Sequence, residues 1–317
     1  MKDNVKEMLK RYDNLVALIL EQKVDEYSDM LDQVPPDEDT ATYEEYIRKA
    51  AQIETEKATA ELEDEPDETL GGKSLRDVFE EMSFEELKET LEYCALNLDR
   101  GVPQSLIDSM ATLGDADRVR SYVAETIGDT PWSEEELKDP DKVFEIEFQK
   151  VKACFKVLIR MEEPSFLAAC LEHFMSYPVV RDFVADSLAE YIEAFPEVSV
   201  PMLIDELEKY NDEGLPGPCE DLVILLSRMG KVTPSEDIYQ ALRHAFRYMN
   251  NKIYAVICLG DYGDPRAVPM FKNYINRHQD TISRELFYEM MSAIQNLGGD
   301  ISDINDPFGD FQKKKEG

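Results

Sequence analysis

Apolar residues near the start of the chain recur at steps of three and four, which is typical of a helix with one buried face. They are Val5, Met8, Leu9, Tyr12, Leu15, Val16, Ile19, Tyr27 and Met30. The helix should end before Pro35 and Pro36, because consecutive prolines cannot continue an α-helix. The pattern thus predicts one long amphipathic helix at the start of the chain.

A second helix is predicted from about Thr42 to Leu62, where the apolar stripe is thinner. An acidic stretch with Pro66 follows, and then a pair of glycines. Proline, glycine and clustered acids are typical of a linker. We therefore expect residues 1–72 to form an acidic N-terminal helical hairpin with its linker, set apart from the rest of the chain.

From Ser74 onward the pattern indicates helix after helix with short turns and no strand. Ser83 and Glu86 have the spacing of a capping box at the start of one of these helices. An acidic loop around residues 129–141 interrupts the series and holds Trp132, the only tryptophan. We expect Trp132 to anchor this loop on the helices; the alternative is a platform for a ligand.

Residues 259–271, LGDYGDPRAVPMF, have the order of a helix, a turn and a second helix. Gly260 and Gly263 are expected to supply left-handed conformations that end the first helix. Asp264 is then placed as the N-cap of the next helix and Pro265 as its first residue. Each residue type suits its position in a helix–turn–helix unit.

The same phrase recurs along the chain. Residues 197–203 align with residues 265–271 and share the triplet Val-Pro-Met at an offset of 68 positions. The equivalent apolar positions in successive copies are Val119, Leu167, Val200, Ile238, Val268 and, approximately, Ile304. Their spacing suits repeats of paired helices. In such a repeat, Arg266 is expected to form a contact between neighbouring units.

The phrase Leu259-Gly260-Asp261 followed by residues 264–269 resembles the HEAT-repeat signature, particularly the short HEAT-like repeats of phycobilisome lyases. The resemblance extends over about residues 75–305 and is sharpest at residues 259–271. It implies an all-α protein whose residues 73–304 form a HEAT-like α-solenoid, in which each repeat buries its apolar face against its neighbours.

The C-terminal tail, residues 305–317, is short and turn-rich. Phe308 and Phe311 are expected to dock on the last repeat and cover its apolar face. A free linear motif for a partner is the alternative.

The second helix of each pair lines the concave side in HEAT proteins, which here implies about residues 199–210, 235–249 and 266–278. These segments carry basic and aromatic side chains, namely Arg243, Arg247, Lys272, Arg277, Tyr239 and Tyr274. Such a surface could hold an acidic peptide, either from a partner protein or from the chain's own acidic N-terminal segment. The alternative is that these are ordinary solvated residues beside core aromatics.

The net charge of −34 lies almost entirely in the first part of the chain. From Pro218 onward there are 14 acids and 12 bases, whereas the preceding residues hold 54 acids and 22 bases. Such a charge repels a phosphate backbone and argues against nucleic-acid binding. It is either a solubilising surface or a docking face for a basic partner. The absence of a long apolar run argues against membrane insertion and favours a cytoplasmic protein.

The candidate chemistry of the chain is sparse. Five scattered cysteines lack the spacing of a zinc site or a disulfide framework, and Cys154 and Cys258 are expected in the core. We find no catalytic, metal-binding or cofactor-binding motif. The sequence therefore favours a non-catalytic scaffold or adaptor that binds a protein or peptide. The alternative is a HEAT-family enzyme, similar to a lyase, with a site not recognisable from sequence.

Overall fold

The computed structural model describes residues 1–31, 40–129, 140–176, 178–210, 215 and 217–309. These residues form α-helices and one 3-10 turn at Glu68–Leu70, and none lies in a β-strand. The helices are α1 Asp3–Leu31, α2 Thr40–Asp64, α3 Leu75–Glu80, α4 Phe84–Asn97, α5 Gln104–Ala111, α6 Ala116–Asp129, α7 Pro140–Arg160, α8 Leu167–Ser176, α9 Pro178–Glu193, α10 Pro196–Glu208, α11 Pro218–Val232, α12 Glu236–Tyr248, α13 Lys252–Tyr262, α14 Ala267–Arg277 and α15 Arg284–Asn296. The predicted all-α class is confirmed.

The chain divides into two compact units. The first comprises Met1–Phe166 with Val179–Leu188, and the second comprises Leu167–Pro178 with Ala189–Gly317. The N-terminal hairpin shares the first unit with α3–α7, so no division between compact units falls at residue 72. The predicted acidic loop with Trp132 lies outside the described residues, as does the tail beyond residue 309.

The N-terminal hairpin forms as the apolar pattern predicts. In α1, the side chains of Val5, Met8, Leu9, Tyr12, Val16 and Tyr27 are buried. Leu15 and Ile19 are half-buried, and the side chain of Met30 lies outside the described residues. Helix α2 begins and ends within two residues of its predicted bounds.

Glu63, which the sequence places at the start of an acidic linker, is a buried carboxylate with an exposed fraction of 1%. It accepts hydrogen bonds from the Tyr12 hydroxyl at 2.7 Å and from the N–H groups of Gln104 at 3.0 Å and Ser105 at 2.6 Å. These N–H groups open α5, whose N-cap, Pro103, has no side-chain acceptor. Because the first N–H groups of a helix lack partners within it, α2 caps α5 and thereby joins the hairpin to the rest of its unit.

In the second unit, α11, α13 and α15 pack side by side. Helix α12 packs on α11 and α13, α10 packs on α11 and α12, and α14 packs on α15. Gly260 permits the close approach of α13 to α15, since a Cβ atom there would lie 3.3 Å from the Cβ of Ala293. Gly260 lies inside α13 and has a helical conformation, so the expectation that it is left-handed was wrong. Only Gly263, with φ of 84°, ends α13 in the left-handed region.

Helix α14 begins two residues later than the predicted start at Pro265. The Asp264 carboxylate accepts from the N–H of Arg266 at 2.9 Å, which closes a turn ahead of the helix. Such side-chain turns compete with helical geometry in the first residues of an element. The predicted N-cap role of Asp264 is thus corrected to that of a turn residue.

Two weaker copies of the phrase, at the ends of α15 and α7, also end a helix with a left-handed residue. At the end of α15, Gly298 donates to the carbonyl of Gln295 and Gly299 donates to that of Ile294, which is the Schellman arrangement. At the end of α7, Glu162 and Glu163 make the equivalent bonds, with Glu162 at φ of 53°. Glu162 thus occupies the left-handed position after α7 that Gly298 occupies after α15.

The equivalent apolar positions of the repeats are buried or half-buried, and the described part of the tail contacts the last helix. Val119, Leu167 and Ile238 are buried, whereas Val200, Val268 and Ile304 are half-buried. The Phe308 ring lies 5.7 Å from that of Phe287 in α15, so the described part of the tail packs on the last helix.

The Glu63 cap gives the first testable prediction. Glu63→Ala should lower the free energy of unfolding by about 3 kcal/mol, because it leaves a buried hydroxyl and two buried N–H groups without an acceptor. The measurement is urea denaturation of the full chain, with Glu61→Ala as the control because the Glu61 side chain is 71% exposed. Equal stability of the two variants would contradict this role of Glu63.

Candidate functional site

Helices α10, α12 and α14 line one groove, and they match the three segments that the sequence assigns to the concave side. The groove has a volume of about 970 Å³. Helix α12 contributes Arg243 and Arg247, α10 contributes Val200 and Ile204, and α14 contributes Tyr274. These residues recur at steps of three and four along each helix, so each helix presents one face to the groove.

A smaller groove of about 540 Å³ lies between α12 and α14 and shares Arg243 and Tyr274 with the larger one. It also contains Arg266, Arg277 and Asn273. Its lining residues include three arginines and no carboxylate. In a chain with a net charge of −34, this is a local concentration of positive charge.

The structure brings five of the six predicted site residues to these grooves. Arg243 and Tyr274 line both grooves, Arg247 lines the larger, and Tyr239 and Arg277 line the smaller.

Lys272 lines neither groove and instead donates to the Asp303 carboxylate at 2.7 Å. At 100° per residue, Lys272 lies outside the arc of α14 that carries Met270, Asn273 and Arg277. The expectation that Lys272 belongs to this face is therefore corrected.

Tyr239 is a packed residue of the groove wall, with an exposed fraction of 3%. The Arg266 guanidinium lies 3.9 Å from the centre of its ring. Arg266 also pairs with Glu236 in α12 at 2.9 Å and with Asp264 at 2.6 Å. Arg266 thus joins successive helix pairs, as the sequence predicts, and its charge is balanced by two carboxylates.

Arg243, Arg247 and Arg277 are exposed and, unlike Arg266, are not held by carboxylates of the residues that the structure describes. None of the three forms an ion pair with another described residue. The Arg243 guanidinium donates to Gln240 at 2.8 Å and lies 5.8 Å from the Tyr239 ring. These guanidinium groups keep donors available for a bound anion.

Sequence reasoning missed Lys252, which fixes the end of α12. Its ammonium donates to the carbonyls of Phe246 at 2.8 Å and of Arg247 and Met249, both at 3.2 Å. A cation is favoured at a helix C-terminus, where carbonyls lack partners within the helix. The signal was a lysine placed just after the predicted end of a helix.

Two histidines also line the larger groove. The His278 ring stacks on Tyr274 with 4.1 Å between ring centres. His244 lies beside Tyr248 at 4.6 Å, and its Nε2 atom is buried without a hydrogen-bond partner among the described residues. Burial lowers the pKa of His244, and the charge of nearby Arg247 acts in the same direction, whereas Glu208 opposes the shift.

The larger groove is not uniformly basic, contrary to the sequence expectation. Asp205 and Glu208 of α10 line one side, and Asp237 lies near the start of α12. The sequence analysis considered only the cations of the three helices, and α10 carries acids on the face that meets the groove. Positive charge is therefore concentrated on α12 and α14.

The remaining candidate chemistry lies in the core. All five cysteines are free and buried, including Cys154 and Cys258 as predicted, and burial raises the pKa of both thiols to about 12. Such thiols are protonated near neutral pH and unreactive. Across the described residues, no three His, Cys, Asp or Glu side chains are grouped as metal ligands.

Comparisons of the chain with family models, with curated proteins and with solved structures gave no match. Every helix in the described residues is too short or too polar to cross a lipid bilayer.

The lowered pKa of His244 gives a pH-dependent prediction. Below the unfolded pKa of about 6.5, the unfolded chain binds a proton before the folded chain does, so stability should fall as pH decreases through this window. His244→Gln should remove this part of the pH dependence. The measurement is the slope of unfolding free energy against pH between about 5 and 7, and equal slopes in both proteins would contradict it.

Proposed function

We propose that the chain is a protein-interaction scaffold built on HEAT-like helix pairs, and that its grooves over α12 bind an acidic peptide of a partner protein. The observation that carries the proposal is the groove between α12 and α14, where Arg243 and Arg277 have no ion pair among the described residues and no carboxylate lines the groove, in a strongly acidic chain. A scaffold role needs a specific binding surface, and this groove supplies one.

Guanidinium groups suit this ligand because their planar donors match both oxygens of a carboxylate. Phe246 and Tyr274, whose ring centres are 5.4 Å apart, add an aromatic surface for the apolar atoms of the peptide.

Two finer features belong to the same proposal. We also propose that the helix pairs within residues 73–304 are HEAT-like repeats. Free, buried cysteines suit a reducing compartment such as the cytoplasm.

Charge reversal tests the proposal. Arg243→Glu with Arg247→Glu and Arg277→Glu should reduce partner capture at least tenfold, since three attractive contacts become repulsive. The measurement is quantitative mass spectrometry of proteins retained by the immobilised full chain from native lysate. The matched control reverses three exposed lysines outside the grooves, Lys57, Lys156 and Lys231.

The expected result is a set of stoichiometric partners, rich in acidic segments, that the wild type and control retain and the arginine variant loses. Identical retention by all three proteins would contradict the proposed binding site.

A further inference from the structure

The two sides of the larger groove carry opposite charge. On α10, Asp205 and Glu208 are exposed and line the groove. Arg243 and Arg247 lie on α12, and Arg277 lies in the smaller groove on the α14 side. Asp237 adds one carboxylate near the start of α12, whereas the rest of that edge carries Arg243 and Arg247. A ligand that lies along α12 beyond Asp237 therefore meets carboxylates at one edge and guanidinium groups at the other.

Apolar side chains lie between the two charged edges. Val200 and Ile204 come from α10, Ala241 and Phe246 from α12, and Met270 from α14. Ala241 and Phe246 are buried, whereas the other three are half-buried and so keep apolar surface exposed. A bound segment gains free energy by covering this surface, because apolar area is removed from water.

A uniformly acidic ligand fits this arrangement only in part. Its carboxylates would pair with the arginines on α12 and α14, but they would also approach Asp205 and Glu208, and like charges at close range are destabilising. A chain with a net charge of −34 would also repel such a ligand during its approach. A ligand with both charge signs avoids both penalties.

We propose that the ligand is an amphipathic helix with three faces: an apolar stripe, an acidic edge toward α12 and α14, and a basic edge toward α10. The proposal rests on the proposed function and specifies the ligand that this groove selects. Helices α10 and α12 each have 13 residues, so the groove matches a helix of about 20 Å. Apolar stripes at steps of three and four are the usual way in which a helix enters a groove.

The opposite edges also fix the direction of the bound helix. Turning the helix end for end while its apolar stripe faces the groove exchanges its acidic and basic edges. Only one direction places the acidic edge against Arg243 and Arg277 and the basic edge against Asp205. The groove therefore requires opposite charge on the two edges of a bound helix, and it fixes the direction in which a given helix binds.

The test uses two synthetic peptides of about 14 residues with the same leucine stripe. The dipolar probe has Glu along one edge and Lys along the other, and the acidic probe has Glu along both. Fluorescence anisotropy with the full chain should give a dissociation constant about tenfold lower for the dipolar probe. Failure of the dipolar probe to bind, or tighter binding of the acidic probe, would overturn the proposal.

The α10 carboxylates give the sharpest discrimination, because the two ligands respond with opposite sign. Asp205→Lys with Glu208→Lys should weaken the dipolar probe about fivefold and strengthen the acidic probe, since each exposed charge contributes modestly and two attractions become repulsions. The matched control, Glu197→Lys with Asp280→Lys, changes exposed acids that do not line the groove and should leave both probes unchanged. Unchanged or tighter binding of the dipolar probe by the α10 variant would contradict the basic edge.

Arg243→Glu with Arg277→Glu separates this proposal from the function on which it rests. If this variant binds neither probe, the groove is supported as the binding site, whatever the α10 variant shows about the basic edge. Binding of both probes unaffected by this variant would instead remove the groove itself. If the wild-type protein forms a homodimer and this variant is a monomer, the groove is occupied by a second copy of the chain. That result would also overturn the proposal.

Discussion

The close packing of α11, α13 and α15 supports α12 and α14, which carry the arginines of the grooves. Gly260 has no side chain, which lets α13 approach Ala293 of α15, and Gly263 then ends α13 without steric cost. The short turn after Gly263 returns the chain beside α12, where Phe271 of α14 lies 5.6 Å from Phe246. The spacing between α12 and α14, and hence the width of the smaller groove, follows from these contacts.

Charge balance decides which arginines of that groove can bind a ligand. Arg266 is held by Asp264 and Glu236 and contributes to packing between helix pairs. Arg243 and Arg277 are exposed and have no ion pair among the described residues, so their guanidinium groups attract anions. An acidic chain thus keeps a local basic surface by placing its carboxylates beside some arginines and away from others.

Local sequence patterns predicted the helices, because the spacing of apolar residues and the turn residues depend on each helix alone. The steps of three and four gave α1, and the phrase at residues 259–271 gave the α13–α14 pair to within two residues. The role of Glu63 could not be predicted, because its partners are on α1 and α5, far away in sequence. The carboxylates of α10 were missed for a similar reason, since their effect depends on the neighbours that packing provides. Lys252 differs, because its acceptors lie three to six residues earlier in the chain and its role could have been predicted.

The central claim is that an acidic segment of a partner binds to Arg243, Arg247 and Arg277. Phenylglyoxal modification of arginines, measured by mass spectrometry with and without the captured partner, tests it most directly. We predict that the partner slows modification of these three residues and leaves exposed Arg100 and Arg228 unchanged. Unchanged modification of Arg243, Arg247 and Arg277 in the saturated complex would contradict the account.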